Sequence, residues 1–373
     1  LTFLFFLCLV LLVVYLWFVG KLMRVVPALR RQQTQPTTER TSLTVLIPFR
    51  NEIARLPGLL DALARQDIPA GWQVNYFWIN DHSTDGGDAF LREQISRKDQ
   101  RLIDLPESRV GKKAALQAGL QESSAEWLLC TDADTLPGPG WIRQMVCWAV
   151  LKNWQFATGG VVLTGNAMVQ RLQHWDMVAM MAITWLGWER GWWLLANGAS
   201  LLLTREAAIR AGGWRQESLA SGDDLFLVRR LHEQGYAGGF VADRSAFVRT
   251  PAMKSWSALL GQRKRWATKL RALPGWGIWV LGAFLLVVAW MPWLLMVAGI
   301  AWKPVLALAG SFLLGIKWFW DTWLLRMLGK ITDRPISWVE SLWLQPMHAL
   351  LLLISAGYSI AGKQYQWKDR RVQ

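Results

Sequence analysis

The chain has 373 residues, 53% of them hydrophobic, 26 tryptophans and a formal net charge of +14. That length holds one catalytic domain and a membrane part. Three scattered Cys and four His show no metal-ligand spacing or disulfide framework, which argues against zinc chemistry and structural disulfides. The basic charge suits anionic lipid, phosphorylated substrates or nucleic acid. It lies mostly beside apolar runs, which favours anionic headgroups of a bilayer; no nucleic-acid module is visible, and nothing names a protein partner.

Residues 1–20 are almost wholly apolar, long enough to cross a bilayer. They lack the basic start and small-residue cleavage site of a signal peptide and read as an anchor. Lys21, Arg24, Arg30 and Arg31 follow in a basic linker, residues 21–40, which puts the next segment in the cytoplasm. From residue 41 strand and helix patterns alternate: Thr44–Ile47, a helix from Ile53, Val74–Ile79, Leu102–Leu105, a helix from Gly111, and Trp127–Cys130. That alternation predicts an α/β fold with a parallel sheet and right-handed crossovers. The second half is less regular: a strand over Ala157–Leu163, a Met- and Trp-rich stretch from Asn166 to Trp193, a turn and strand at Asn197–Leu203, and a helix after Asp223-Asp224. In the middle stretch a packed core would account for a few of Met177, Met180, Met181, Trp185, Trp188, Trp192 and Trp193, but so many fit a hydrophobic lipid groove better.

The soluble domain is expected to end near residue 253. Residues 254–272 mix Trp256, Leu259, Leu260, Trp266 and Leu270 with six basic residues and read as an amphipathic interface helix. Residues 273–362 hold three spans, near 276–300, 305–325 and 338–361, with Pro292 and Pro346 inside them. A basic tail, 363–373, closes the chain. The anchor and the first hairpin agree with the positive-inside rule. A simple third crossing would put the tail's basic residues outside, so either the rule fails there or the Glu340-, Gln345- and His348-bearing segment takes a bent path.

The motifs gather at strand ends. Asp132-Ala133-Asp134 follows a strand buried on both faces, where open α/β sheets bind ligands. Two carboxylates at i and i+2 suit one Mg²⁺ or Mn²⁺ shared with substrate phosphates. The alternative for Asp134 is a cap on the helix announced by Pro137 and Trp141. Pro48-Phe49-Arg50-Asn51-Glu52 lacks a dinucleotide-binding glycine pattern, and Gly111-Lys112-Lys113 lacks the rest of a P-loop. Gly111-Lys112 still offers backbone N–H groups and a cation to phosphate.

In their order these motifs resemble the family 2 glycosyltransferases, inverting enzymes with a GT-A, Rossmann-like fold. The closest layouts are the membrane-embedded cellulose, hyaluronan and poly-N-acetylglucosamine synthases and ceramide glucosyltransferase-like enzymes. The resemblance spans residues 41–270 and, by architecture, one transmembrane helix before them and about three after. It implies a nucleotide-sugar site of Pro48, Asn51, Glu52, Asp81, Ser83, Lys112, Asp132, Asp134 and Arg265, with Asp132 and Asp134 on the metal. It puts Asp224 at the catalytic base, and Asp223, Gln262 and Trp266 toward the acceptor. Asn80 stands where the family's uracil-reading loop has its first Asp, and Gln117 where its Gly-Lys motif has Asn.

The expected activity is transfer of a sugar from a nucleotide sugar, UDP first, to a membrane lipid or lipid-linked glycan. A processive polysaccharide synthase is the rival enzyme, and a non-enzymatic scaffold or transporter the rival from another class. The expected place is a bacterial inner membrane with the catalytic domain in the cytoplasm.

Overall fold

The computed structural model describes residues 2–25, 41–95, 97–192, 194–214, 223–271, 276–361, 365–367 and 370–372. The linker beyond residue 25, Ser221-Gly222 and part of the basic tail fall outside them; so do Trp193 and the side chain of Asp223.

In chain order the elements are α1 (Thr2–Val25), β1 (Thr41–Phe49), α2 (Leu56–Ala64), β2 (Trp72–Asn80), α3 (Gly87–Gln94), β3 (Gln100–Asp104), α4 (Lys112–Glu122), β4 (Trp127–Cys130), β5 (Leu136–Pro137) and α5 (Trp141–Leu151). Then follow β6 (Phe156–Gly159), β7 (Val161–Thr164), α6 (Met168–Arg190), β8 (Leu201–Thr204), α7 (Arg205–Arg210), α8 (Asp223–Glu233), β9 (Gly238–Val241), β10 (Val248–Pro251), α9 (Trp256–Arg271), α10 (Gly277–Ala301), α11 (Pro304–Gly329) and α12 (Trp338–Ala361). The chain divides into two compact units: residues 32–165 with 187–252, and residues 1–31 with 166–186 and 253–371.

The α/β unit carries a seven-stranded sheet in the order β3-β2-β1-β4-β8-β6-β9. β1 pairs in parallel with β2 and β4, and β2 with β3. β1 from Leu43 onward and β4 are buried along their length, as strands covered on both faces are; Leu43, Val45, Leu46 and Ile47 are all fully buried. α4 lies so close that a Cβ on Gly119 would stand 2.7 Å from both Leu46 and Ile79.

The sheet is mixed rather than wholly parallel, because β8 runs antiparallel to β4 and β6. This reversal places the start of β8, rather than its end, beside the end of β4: Cys130 faces Leu201. The strand expected over Ala157–Leu163 is two strands. β6 stays in the large sheet, while β7 joins β5 and β10 in a second, three-stranded sheet. The break falls at Gly159-Gly160, where side chains have no room. A Cβ would stand 2.3 Å from Ser200 Oγ at the first and 2.5 Å from the Phe247 ring at the second.

The other unit contains four helical segments long and apolar enough to cross a membrane: Phe5–Arg24, Gly277–Ala301, Pro304–Gly329 and Trp338–Ile360. α10 and α12 continue through Pro292 and Pro346. α10 and α11 approach closely on small residues, with Gly299 against Ala307 and Gly310 against the Pro292 carbonyl, as helices do where no hydrophobic driving force separates lipid from protein. α1 joins them through polar groups: Tyr15 donates to Asp321 Oδ1 at 2.7 Å, and Lys317 and Gln345 hold the other oxygen.

The Met- and Trp-rich stretch corrects the sequence expectation. Met177, Met181 and Trp185 are buried, and Trp175 is 1% exposed. Of the groove expected there, Trp192 alone is a large exposed hydrophobic among the described residues. Apolar residues all around a helix signal an enclosed position, and α6 carries Gln173, His174 and Asp176 buried as well.

Candidate active site

Strand register assembles the site in the α/β unit. Phe49 pairs with Asn80, so β1 and β2 end level and their loops meet. Asn51, in a left-handed conformation (φ 53°), accepts from the Thr84 backbone N–H at 2.8 Å, and its own N–H donates to Ser83 Oγ at 3.1 Å. Asn tolerates that conformation better than most residues. The Arg50 guanidinium donates to the Asp81 carbonyl at 2.9 Å. Asp81 is buried and accepts the Gly111 N–H at 2.9 Å, which ties the β2 loop to the start of α4. Pro48 is buried at the end of β1.

The two departures from the family pattern have local explanations. Asn80 donates to Asp104 Oδ1 at 2.9 Å and accepts from the Ser83 N–H at 2.9 Å. An Asp there would face Asp104 without a proton to offer. Gln117 reaches from α4 to accept the Trp214 N–H at 2.9 Å.

Leu46 pairs with Cys130, so the chain leaving β4 runs beside the end of β1. Thr131 and Thr135 share a 2.7 Å hydrogen bond and Thr135 donates to the Asp132 carbonyl, also at 2.7 Å, folding Asp132–Thr135 into a tight turn. Asp132 Oδ1 lies 2.5 Å from Lys112 Nζ. The Asp134 carboxyl is pushed up to about 6, first by burial, then by the negative charges of Asp132 and Glu52, against Arg55 and Lys112. Asp134 does not cap the next helix, since Gly140 takes that position.

Two carboxylates with a third acid in electrostatic reach carry surplus negative charge, the donor chemistry a hard divalent cation takes. Among the described residues no three His, Cys, Asp or Glu converge as a complete metal site. A cation bound there would take its remaining ligands from water and substrate phosphates. Asp132 and Asp134 would hold it.

The remaining acid comes from the start of α8 and is held at the turn that precedes β8. Asn197 anchors the turn before it, its backbone N–H donating to Thr158 Oγ at 2.9 Å and its amide to the Gly159 carbonyl at 2.8 Å. The next N–H, of Gly198, donates to Asp224 Oδ2 at 2.8 Å; Leu225 N–H holds Oδ1 at 2.8 Å. A Cβ on Gly198 would stand 3.3 Å from both Asp224 Oδ2 and Lys112 Nζ. Asp132, Lys112, Gly198 and Asp224 thus converge.

Two participants carried no sequence motif. Gly198 is one. The other is Arg55, which pairs with the buried Glu52 and is drawn toward Asp134. Helical spacing of Glu52 and Arg55, i and i+3, was the available signal. Gln262, Arg265 and Trp266 lie on α9, which belongs to the other unit.

The family model described as glycosyl transferase family 2 matches residues 44–198, and that described as glycosyl transferase family group 2 matches residues 127–328. The probable glycosyltransferase YdaM of Bacillus subtilis is 25% identical over 236 residues, 61% of this chain and 55% of that protein. The poly-beta-1,6-N-acetyl-D-glucosamine synthase of Staphylococcus aureus is 23% identical over 201 residues, 51% of this chain and 45% of that one. The chain thus spans about half the length of the curated relatives it matches. A solved structure, the mannosyltransferase PcManGT from Pyrobaculum calidifontis in complex with GDP-Man and Mn²⁺, shares the fold with a TM-score of 0.55 at 18% identity, covering 95% of this chain and 96% of that one. With a family model covering more than half its length, the chain belongs to the family 2 glycosyltransferases.

Proposed function

We propose that the protein moves one sugar, with inversion, from a nucleotide sugar to a membrane lipid or lipid-linked glycan. The observation that carries this is the convergence of Asp132, Lys112 and Asp224 at the turn of Gly198. Transfer breaks the bond between the sugar's anomeric carbon and the diphosphate, whose oxygens gain charge. In this reading Lys112 neutralises that charge. A divalent cation on Asp132 and Asp134, when bound, supplies further neutralisation. The acceptor hydroxyl attacks from the opposite face, and Asp224 takes its proton. Two backbone N–H groups hold the Asp224 carboxylate in one orientation, so the base is set before the acceptor arrives.

Pro48, Asn51, Glu52, Asp81 and Ser83 line the nucleotide side in this reading, with UDP the first donor to try. Arg265 adds charge at the diphosphate, and Asp223, Gln262 and Trp266 serve the acceptor. Lys21 and Arg24 at the end of α1 support a cytoplasmic catalytic unit on a bacterial inner membrane. The four long apolar helices support an acceptor drawn from the bilayer; the buried Met and Trp of α6 lend that idea nothing. Similarity to a poly-N-acetylglucosamine synthase favours processive synthesis as the second reading. Reconstitution in vesicles with labelled UDP-sugars, and GDP-sugars in parallel, separates the two. Label in a discrete organic-soluble glycolipid supports single transfer. A glycosidase-sensitive polymer made without added acceptor supports the synthase. Release of no nucleoside diphosphate from any donor, with every lipid extract and glycan tried, rejects both.

A further inference from the structure

Between Gln262 and Arg265 of α9 sits Arg263, a residue given no part in the site so far. It is 7% exposed, and its guanidinium pairs with Asp176 of α6, equally buried. The other Asp176 oxygen receives His348 Nε2 of α12 at 3.1 Å. The same guanidinium carbon lies 4.7 Å from the centroid of the Trp266 ring. One side chain therefore joins a carboxylate on α6, and through it an imidazole on α12, to the face of Trp266. Burial pushes the Asp176 carboxyl up, but the Arg263 guanidinium and His348 outweigh it and hold the group well below the usual carboxylate range.

A second clasp lies upstream. Gln173, fully buried, receives the Met253 N–H and donates to the Met253 carbonyl, both at 2.9 Å. α6 thus grips the segment leading into α9 by its backbone and α9 itself by Arg263. These contacts fix the rotation of α9 about its axis, and with it the direction of residues at i and i+3 from Arg263. An exposed surface arginine would leave Trp266 free to change rotamer. A buried one, held on one side by a carboxylate, gives the ring a fixed, flat, charged support.

We infer that Asp176 and His348 are positioning residues that act through Arg263 to set the orientation of Trp266. The inference deepens the proposed function and rests on it where Trp266 meets an acceptor. The orientation itself is measurable without any acceptor.

The test uses the full chain in lipid nanodiscs, labelled with 5-fluorotryptophan, with Trp266→Phe identifying the ring's ¹⁹F resonance. Asp176→Asn keeps the shape of the side chain and removes its charge. It should move or broaden the Trp266 resonance. It should also raise the acceptor KM on the order of tenfold while donor hydrolysis without acceptor changes less than about twofold. Added to Trp266→Ala, it should cause no further loss of acceptor use, because both act through one ring. Arg263→Lys keeps the charge beside Asp176 but lacks the flat guanidinium, and should shift the same resonance; it decides the matter should Asp176→Asn not fold. His348→Gln should give a smaller shift in the same direction.

A Trp266 resonance unchanged in both Asp176→Asn and Arg263→Lys overturns the inference. So do equal losses of donor hydrolysis and acceptor use that add fully to those of Trp266→Ala, which mark a purely structural ion pair. A moved resonance, with acceptor kinetics unchanged in both Asp176→Asn and Trp266→Ala, upholds the positioning and removes the acceptor role of Trp266 from the proposed function.

Discussion

Replacing Gly198 by Ala tests the arrangement around the proposed base with one methyl group. The new Cβ would stand 3.3 Å from Asp224 Cβ, from Asp224 Oδ2 and from Lys112 Nζ. Ordinary carbon contacts lie at about 3.5–4.0 Å, so each neighbour must retreat by a few tenths of an ångström. Lys112 is a flexible chain end and gives way cheaply. The Asp224 carboxylate is held by the Gly198 and Leu225 N–H groups, so its retreat stretches the bond that orients it. A misplacement of about 1 Å costs on the order of a hundredfold in rate, so a shift of roughly a third of that predicts a kcat loss of about fivefold to tenfold. Stability should fall by only about 1 kcal/mol, as for mild overpacking. The assay is turnover with saturating donor and acceptor, paired with nucleoside-diphosphate affinity and a thermal melt. Nucleotide affinity should fall by no more than about threefold, since the β1 and β2 loops are untouched and Lys112 gives way as a flexible chain end. A variant with wild-type kcat and an unchanged melt would show that Asp224 is not held by this turn, and the role of Gly198 would fall.

Three further outcomes are expected. Asp132→Asn and Asp134→Asn should each abolish transfer while the protein stays folded, and wild-type activity should vanish in chelator; full activity of both variants in chelator would remove the metal from the site. Asp224→Asn should bind nucleotide normally and lose on the order of 10²–10⁴-fold in kcat, measured by product formation at saturating substrates. For stability, the raised Asp134 group binds its proton more tightly folded than unfolded, so its contribution is present below about pH 4 and lost as pH rises through about 6. Asp134→Asn should therefore melt higher than wild type at pH 8 in chelator, with the difference shrinking toward pH 4 and, at pH 8, on adding Mn²⁺ to wild type.

Much of this protein is readable from local pattern. Continuous apolar runs such as Val45–Ile47 and Trp127–Cys130 identify strands buried on both faces, and length with apolarity picks out the helices at Gly277–Ala301, Pro304–Gly329 and Trp338–Ala361. Asp132, Asp134, Lys112 and Asp224 could be named because each follows a strand or opens a helix, and such positions are fixed by residues close in sequence. Whether Asn80 was a defect could not be read, because its answer is Asp104 on the next strand, a partner supplied by sheet register. The break of β6 from β7 needed the Phe247 ring and Ser200 in place.

Burial of α6 was invisible for the same reason: Met and Trp at helical spacing suit a lipid groove and a packed core equally, and only the neighbours decide. Gly198 gained its part from the reversal of β8, which brings the start of that strand to the edge where the parallel strands end. Asp176, Arg263 and His348 stand 87 and 172 residues apart along the chain. Sequence determined that each was polar, Asp176 and His348 among apolar neighbours and Arg263 in a basic run. Tertiary packing alone decided that the charges would be buried against one another, since a charge tolerates burial when its partner is already there.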